Sequence, residues 1–123
     1  MTLTTARAGS AAVVTVAGEL DLQTSRELME VVDATLQEPG VTGLVVDLTA
    51  VSFLGSAGLG TLAELATRTT APAAPYGERV TPLPLRVVAP PANRAVIRPW
   101  ETMNLQQILP LDPDVASAVE ALP

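Results

Sequence analysis

Residues 44–62 read LVVDLTAVSFLGSAGLGTL, and this segment carries most of the information about the architecture of the chain. Its first three residues are continuously apolar, which is typical of a strand covered on both faces. Further along, apolar residues recur at helical spacing at Leu59, Leu62, Ala63 and Ala66. Ser56 stands just before this periodic part, where a hydroxyl can cap exposed backbone N–H groups. The segment therefore predicts a buried strand, a turn, and a helix that begins at an accessible serine.

A serine at the start of a helix has two interpretations. A phosphate on the Ser56 oxygen would meet the positive end of the helix dipole and would change a neutral surface into a doubly charged one. Alternatively, Ser56 is only a helix cap, a position where substitution by Ala costs about 1 kcal/mol. Position alone favours the cap, so the choice depends on the rest of the chain.

The composition predicts one domain, residues 1–123, with an aliphatic core. The chain is 48% apolar but only 2% aromatic. Its net charge of −6 argues against general nucleic-acid binding and against adhesion to an anionic membrane surface. The N-terminal residues lack the apolar centre of a signal peptide, and no segment approaches the roughly 20 apolar residues of a membrane span. We therefore expect a soluble, cytoplasmic protein.

The residue types that are missing exclude several chemistries. The chain contains no Cys and no His, and all seven of its basic residues are Arg. Disulfides, zinc–thiolate sites, a Ser-His-Asp triad and a histidine base are thereby excluded. The glycines Gly55, Gly58 and Gly60 match neither a dinucleotide-binding loop nor a Walker A loop, and close helix–sheet packing explains them better. We expect no enzyme activity of its own, no cofactor and no metal.

The rest of the chain alternates between strand and helix patterns. Strands are predicted at residues 3–6, 12–17, 85–89 and 107–111, the first two forming a hairpin. In the first helix, Thr24 is the expected N-cap and Glu27 the residue that reaches back to it, while Pro39-Gly40 follow its end. A third helix is expected at 92–100 with Pro91 in its first turn. A fourth is expected after Asp112 as N-cap and Pro113.

This order predicts an α/β fold. Its sheet is mixed, mostly parallel with an N-terminal antiparallel hairpin, and about four helices cover it. Residues 69–84 hold four prolines and a glycine, and they are predicted to form a flexible loop inserted into the domain.

Two motifs together resemble the STAS domain of bacterial anti-anti-sigma factors, also called anti-sigma factor antagonists. They are Gly18-Glu19-Leu20-Asp21 after a strand and the segment FLGSAGLG at residues 53–60. The element order is similar over nearly the whole chain, and residues 90–97 resemble the family's penultimate helix.

The resemblance implies a partner-switching cycle. In that family the unmodified antagonist binds an anti-sigma factor that is also a GHKL-type serine kinase, and the sigma factor is released. The kinase phosphorylates the antagonist, which then dissociates, and a PP2C-type phosphatase resets it. Direct contact with nucleic acid or membrane is not implied, and the oligomeric state, a homo-oligomer included, stays open.

The resemblance also assigns roles to residues. Ser56 matches the phosphorylated serine, and Asp21 matches an acidic residue near it that supports partner binding. Alternatively, or in addition, Asp21 caps the first helix or complements its dipole. The implied partner-binding set is Asp21, Thr24, Gly55, Ser56, Ala57, Gly58 and Leu59. This chain departs from the frequent family motif Asp-Ser-Ser-Gly, because Gly55 replaces the acidic residue and Ala57 the second hydroxyl. Ser56 is therefore the only serine in the motif.

Two alternatives to the phosphorylation switch remain. Gly55 in place of an acidic residue favours a constitutive scaffold or accessory subunit that binds through the same face without modification. A helix N-terminus would also suit a small nucleotide- or anion-binding sensor. Phe53 and Trp100 are expected in the core, and Asp47 and Glu19 are expected in solvated or turn-capping roles.

Overall fold

A computed structural model describes residues 1–70 and 84–122 of the chain. The strands are β1 (Thr2–Ala8), β2 (Ala11–Leu20), β3 (Gly43–Leu54), β4 (Leu85–Val88) and β5 (Leu111–Asp112). The helices are α1 (Leu22–Leu36), α2 (Ser56–Thr70), α3 (Arg94–Thr102) and α4 (Val115–Ala121), with a short 3-10 turn at Leu105–Gln107.

The five described strands form one sheet in the order β1-β2-β3-β4-β5. β1 and β2 are antiparallel, and each later strand is parallel to the one before it. The predicted mixed sheet with its N-terminal hairpin is confirmed. Because β2, β3 and β4 are consecutive neighbours joined by helices, their carboxyl ends lie along one edge of the sheet, and the segments that leave them are close in space.

The core has two unequal layers. On one face, the inward side chains of the sheet pack against α1, α2 and α3 in the main core, which includes Leu28, Leu62 and Trp100. On the other face a smaller cluster joins Val13, Val45 and Val88 to Ala118 of α4. The central strands are thus covered on both faces, as the apolar run in β3 predicted.

β3 departs from a regular strand in its second half. Its register against β2 shifts twice, between Thr15 and Ala17 and again between Gly18 and Glu19, so that β3 has extra residues at both places. Each extra residue reverses which face the following side chains occupy. After Asp47 the buried positions are therefore every third residue: Leu48, Val51 and Leu54.

Several predicted boundaries were wrong. The edge strand is Leu111–Asp112 rather than 107–111. Asp112 lies inside it and bonds to Arg86, so it cannot cap α4; the N-cap is Asp114, whose side chain accepts the backbone N–H of Ser117 at 2.7 Å. α3 begins only at Arg94 after the N-cap Asn93, so Pro91 is not in its first turn.

The predicted loop at 69–84 lies mostly outside the described residues. Thr69 and Thr70 still belong to α2, so the helix is longer than expected. Within the described ranges, no helix is both long and apolar enough to cross a membrane.

Candidate functional site

Ser56 is the first residue of α2, at the edge of the sheet where β2 and β3 end. Gly55 connects strand to helix: its N–H donates to Leu20 O at 3.1 Å, and its carbonyl accepts from Leu59 N at 3.0 Å. Gly55 therefore holds the cap position, and Ser56 is the first helical residue and not the cap that was its alternative interpretation. The Ser56 side chain is exposed, and its hydroxyl has no hydrogen bond to any described residue.

Asp21 starts α1 directly after β2. Its carboxylate accepts the backbone N–H of Thr24 at 3.0 Å, while the Thr24 hydroxyl accepts the backbone N–H of Asp21 at 2.7 Å. Helix α1 thus begins three residues earlier than predicted, because Asp21 and Thr24 form the capping box that was assigned to Thr24 and Glu27. The backbone hydrogen bond from Thr24 lowers the pKa of Asp21, so the carboxylate stays charged.

The contact between Gly55 and Leu20 brings the two motifs together. Leu20 immediately precedes Asp21, and Gly55 immediately precedes Ser56, so one backbone hydrogen bond joins the starts of α1 and α2. The distance between the two motifs could not be predicted from the sequence. The motifs lie close together because β2 and β3 pair in parallel, with Leu20 opposite Leu54.

Gly58 and Leu59 lie on the inner side of α2, which corrects their expected place on the surface that contacts a partner. Both are buried. A Cβ at Gly58 would come within 2.8 Å of Leu54 Cδ1 and 2.9 Å of Leu20 O. Gly58 therefore allows α2 to pack closely on the ends of the strands, as expected from the sequence. This packing positions the helix that begins at Ser56. At Gly60 nothing lies within 4 Å, so close packing does not explain that glycine.

Two apolar side chains at this edge are exposed, which the sequence pattern did not predict. Phe53, expected in the core, is 50% exposed, and Leu22 is 63% exposed. The Phe53 ring lies across Gly55, with Cε2 at 3.1 Å from the position of a Cβ there. The extra residues in β3 explain why Phe53 is exposed, because side chains after Asp47 do not alternate regularly between the two faces of the sheet.

An open depression of about 570 Å³ lies beside Asp21 at the start of α1. Its lining residues are Asp21, Leu22, Gln23 and Arg26. It combines a carboxylate, a guanidinium and an exposed apolar side chain, which suits contact with a protein surface better than enclosure of a small ligand.

The remaining acidic candidates have local roles. Asp47 Oδ1 accepts both the N–H and the hydroxyl of Thr49, at 3.0 and 2.6 Å, within the irregular part of β3 and not at a turn as expected. Glu19 is exposed. Among the described residues no cluster of three or more potential metal-ligating side chains is found. Trp100 is in the core as expected, and its Nε1 donates to Leu109 O at 2.9 Å.

Comparisons with known proteins agree with this geometry. A family model described as the STAS domain matches residues 2–72. Curated relatives from two strains of Mycobacterium tuberculosis, both called anti-sigma-F factor antagonist RsfB, are 43% identical over 63 residues, or 51% of this chain and 51% of theirs. The chain thus spans about half the length of the curated relatives it matches.

Solved structures extend the likeness over the whole fold. A crystal structure of an anti-sigma factor antagonist from Mycobacterium paratuberculosis superposes with a TM-score of 0.77 at 30% identity, covering 98% of this chain and 92% of that one. The anti-sigma factor antagonist SpoIIAA in its unphosphorylated form has a TM-score of 0.59 at 14% identity, covers 97% and 96% of the two chains, and shows the fold alone. With the matched region running from β1 through α2 and including both motifs, the chain belongs to the STAS domain family.

Proposed function

We propose that this protein is an anti-sigma factor antagonist that binds an anti-sigma factor with a GHKL-type serine kinase domain and is released when that kinase phosphorylates Ser56. The observation that carries the proposal is the Ser56 hydroxyl itself. It is exposed at the start of a 15-residue helix and makes no capping bond within the described residues. A hydroxyl with no structural task at this position is available to an incoming enzyme.

The surface around Ser56 suits a partner that docks before modification. Asp21 and Thr24 stand at the start of α1, Gly55 and Ala57 flank the serine, and Phe53 adds an exposed ring. Exposed aromatic and aliphatic side chains beside a polar rim are typical of protein interfaces. In this arrangement Gly58 and Leu59 do not contact the partner. They pack beneath the surface and position the start of α2.

Electrostatics supplies the switch. A phosphate adds roughly −1.5 to −2 charges at a surface whose partner fits a neutral hydroxyl, and docking would then require removal of water from that charge. The first turn of α2 holds no acidic residue, so a phosphate on Ser56 would introduce negative charge where this turn has none. A phosphatase of the PP2C type would restore the binding form.

The mycobacterial relatives are named anti-sigma-F factor antagonists, which puts an anti-sigma-F factor first among the candidate partners. Incubation with such a kinase, once it is shown to bind, and with ATP should add one phosphate, which mass spectrometry locates at Ser56. Ser56→Ala should abolish the label. Ser52→Ala removes an exposed serine of β3 and should leave it unchanged. Label on another residue, or none with a kinase that binds, contradicts the proposal.

A constitutive scaffold is the second candidate function. The observation in its favour is Gly55, which stands where the family frequently has an acidic residue and where the exposed Phe53 ring lies 3.1 Å from the position of a Cβ. Ser56→Asp distinguishes the two: the switch predicts much weaker partner binding for this variant, whereas the scaffold predicts affinity equal to that of the parent protein.

A further inference from the structure

We propose that Asn93 is a positioning residue for the Ser56 site, because its side-chain amide holds β3 in the bulged register that places the β3–α2 junction. The consequence for partner binding rests on the proposed function, whereas the effect on the junction does not. Asn93 lies 37 positions after Ser56 in the sequence, at the N-cap of α3, and it is not part of either motif.

The observation is a set of three contacts made by one amide group. Asn93 Nδ2 is 3.1 Å from Leu48 O, 3.0 Å from Thr49 O and 3.0 Å from Val51 O. Since all three neighbours are carbonyl oxygens, the NH₂ group and not the amide oxygen must face them. Asn is a favoured N-cap residue, yet this side chain makes no capping bond to α3. The NH₂ group of Asn93 is therefore directed at β3.

The need for these bonds follows from the lengths of the strands. β4 pairs with β3 only from Leu44 to Asp47, and its last pairing there is Asp47 with Val88. Beyond Asp47 no described strand continues beside β3 on that side. Backbone carbonyls in a partly buried stretch require partners, and Asn93 supplies donors where the neighbouring strand has ended.

The three carbonyls lie around the first bulge of β3. The register shift between Thr15 and Ala17 falls opposite Leu48 and Thr49, the residues whose carbonyls Asn93 binds. A slip of one residue here, which would move each side chain up to the junction into the place of the next residue, would change which side chains face inward. Leu54 would leave the core, Phe53 would leave the surface, and Ser56 would shift along the sheet edge. Asn93 therefore selects the register in which Ser56 is presented.

The test compares Asn93→Asp, which keeps the shape but places an acceptor against three acceptors, with Asn93→Ser, which is milder and keeps a good N-cap residue. Asp112→Asn is the matched control, because it weakens the Arg86 pair between β4 and β5 and leaves the Asn93 contacts in place. The first readout is amide hydrogen exchange of the free protein at Gly55 N, which bonds to Leu20 O. The second is the affinity for the anti-sigma factor and the kcat and KM of Ser56 phosphorylation.

We expect both Asn93 variants to speed exchange at Gly55 by about tenfold or more relative to the control at equal global stability, the loss expected of one to two hydrogen bonds. Partner affinity should fall and KM should rise, with kcat changed less. The proposal is overturned if amide exchange at Gly55 in both Asn93 variants equals that of Asp112→Asn. It is also overturned if exchange is fast but the variants bind the partner with normal affinity. If the parent protein is neither bound nor phosphorylated, the proposed function fails, and the exchange measurement still decides the role of Asn93.

Discussion

Gly58 and Gly60, two residues apart in α2, lie in opposite surroundings and give a matched pair of substitutions. Gly58→Ala would place a methyl group within 3 Å of Leu54 Cδ1 and of the Leu20 carbonyl, and a backbone atom cannot easily move away. We expect this change to lower the free energy of unfolding by about 1–3 kcal/mol. Gly60→Ala meets nothing within 4 Å and should raise it by about 1 kcal/mol through helix propensity. Urea unfolding measures both, and equal effects would contradict the packing described here.

The capping carboxylate of Asp21 predicts a pH dependence. Hydrogen bonds from Thr24 lower its pKa in the folded protein, so the unfolded chain binds this proton more tightly. The stabilisation from Asp21 is therefore complete above the ordinary carboxyl pKa of about 4 and is lost as the pH falls through the lowered folded value. Asp21→Asn should remove this part of the acid limb of the stability curve. A difference between the two proteins that stays constant with pH would refute it.

At the scale of elements, the wrongly placed starts of α1 and α4 have the same cause. The chain offers overlapping capping patterns: Asp21 with Thr24 against Thr24 with Glu27, and Asp114 with Ser117 against Asp112 with Pro113. The positions of the neighbouring strands determine which of the two patterns forms the cap. β2 runs to Leu20, so α1 starts at once, and Asp112 is occupied in β5. Local propensity determines that these segments are helical, whereas the neighbouring strands determine the residue at which each helix begins.

The short strand β5 is joined to β4 by backbone pairing and by one side-chain pair. Arg86 Nε and Nη2 donate to the two carboxylate oxygens of Asp112 at 2.8 and 2.7 Å, and Asp112 is largely buried. Because β5 has only two residues, this bidentate pair contributes much of its attachment to β4. Asp112→Asn should lower the free energy of unfolding by about 1 kcal/mol, measured in urea. Its effect should shrink with added salt, and an effect independent of salt would show that the charge is not involved.

For the whole molecule, the sequence was enough to predict the mixed sheet, its order of elements and the family. These follow from hydrophobic periodicity and from two motifs, each of which is local. It predicted the close packing at Gly58, but it could not predict the exposure of Phe53, since this depends on the bulges of β3. It also gave no indication of the contacts that Asn93 makes, because their partners lie more than 40 residues away.

In the proposed switch, one exposed hydroxyl at the start of α2 controls association. The most direct measurement is calorimetric titration of the anti-sigma factor with unmodified protein and with protein phosphorylated at Ser56. The account predicts that the phosphorylated form binds at least about 100-fold more weakly, corresponding to about 2.7 kcal/mol. Equal affinity of the two forms would contradict it.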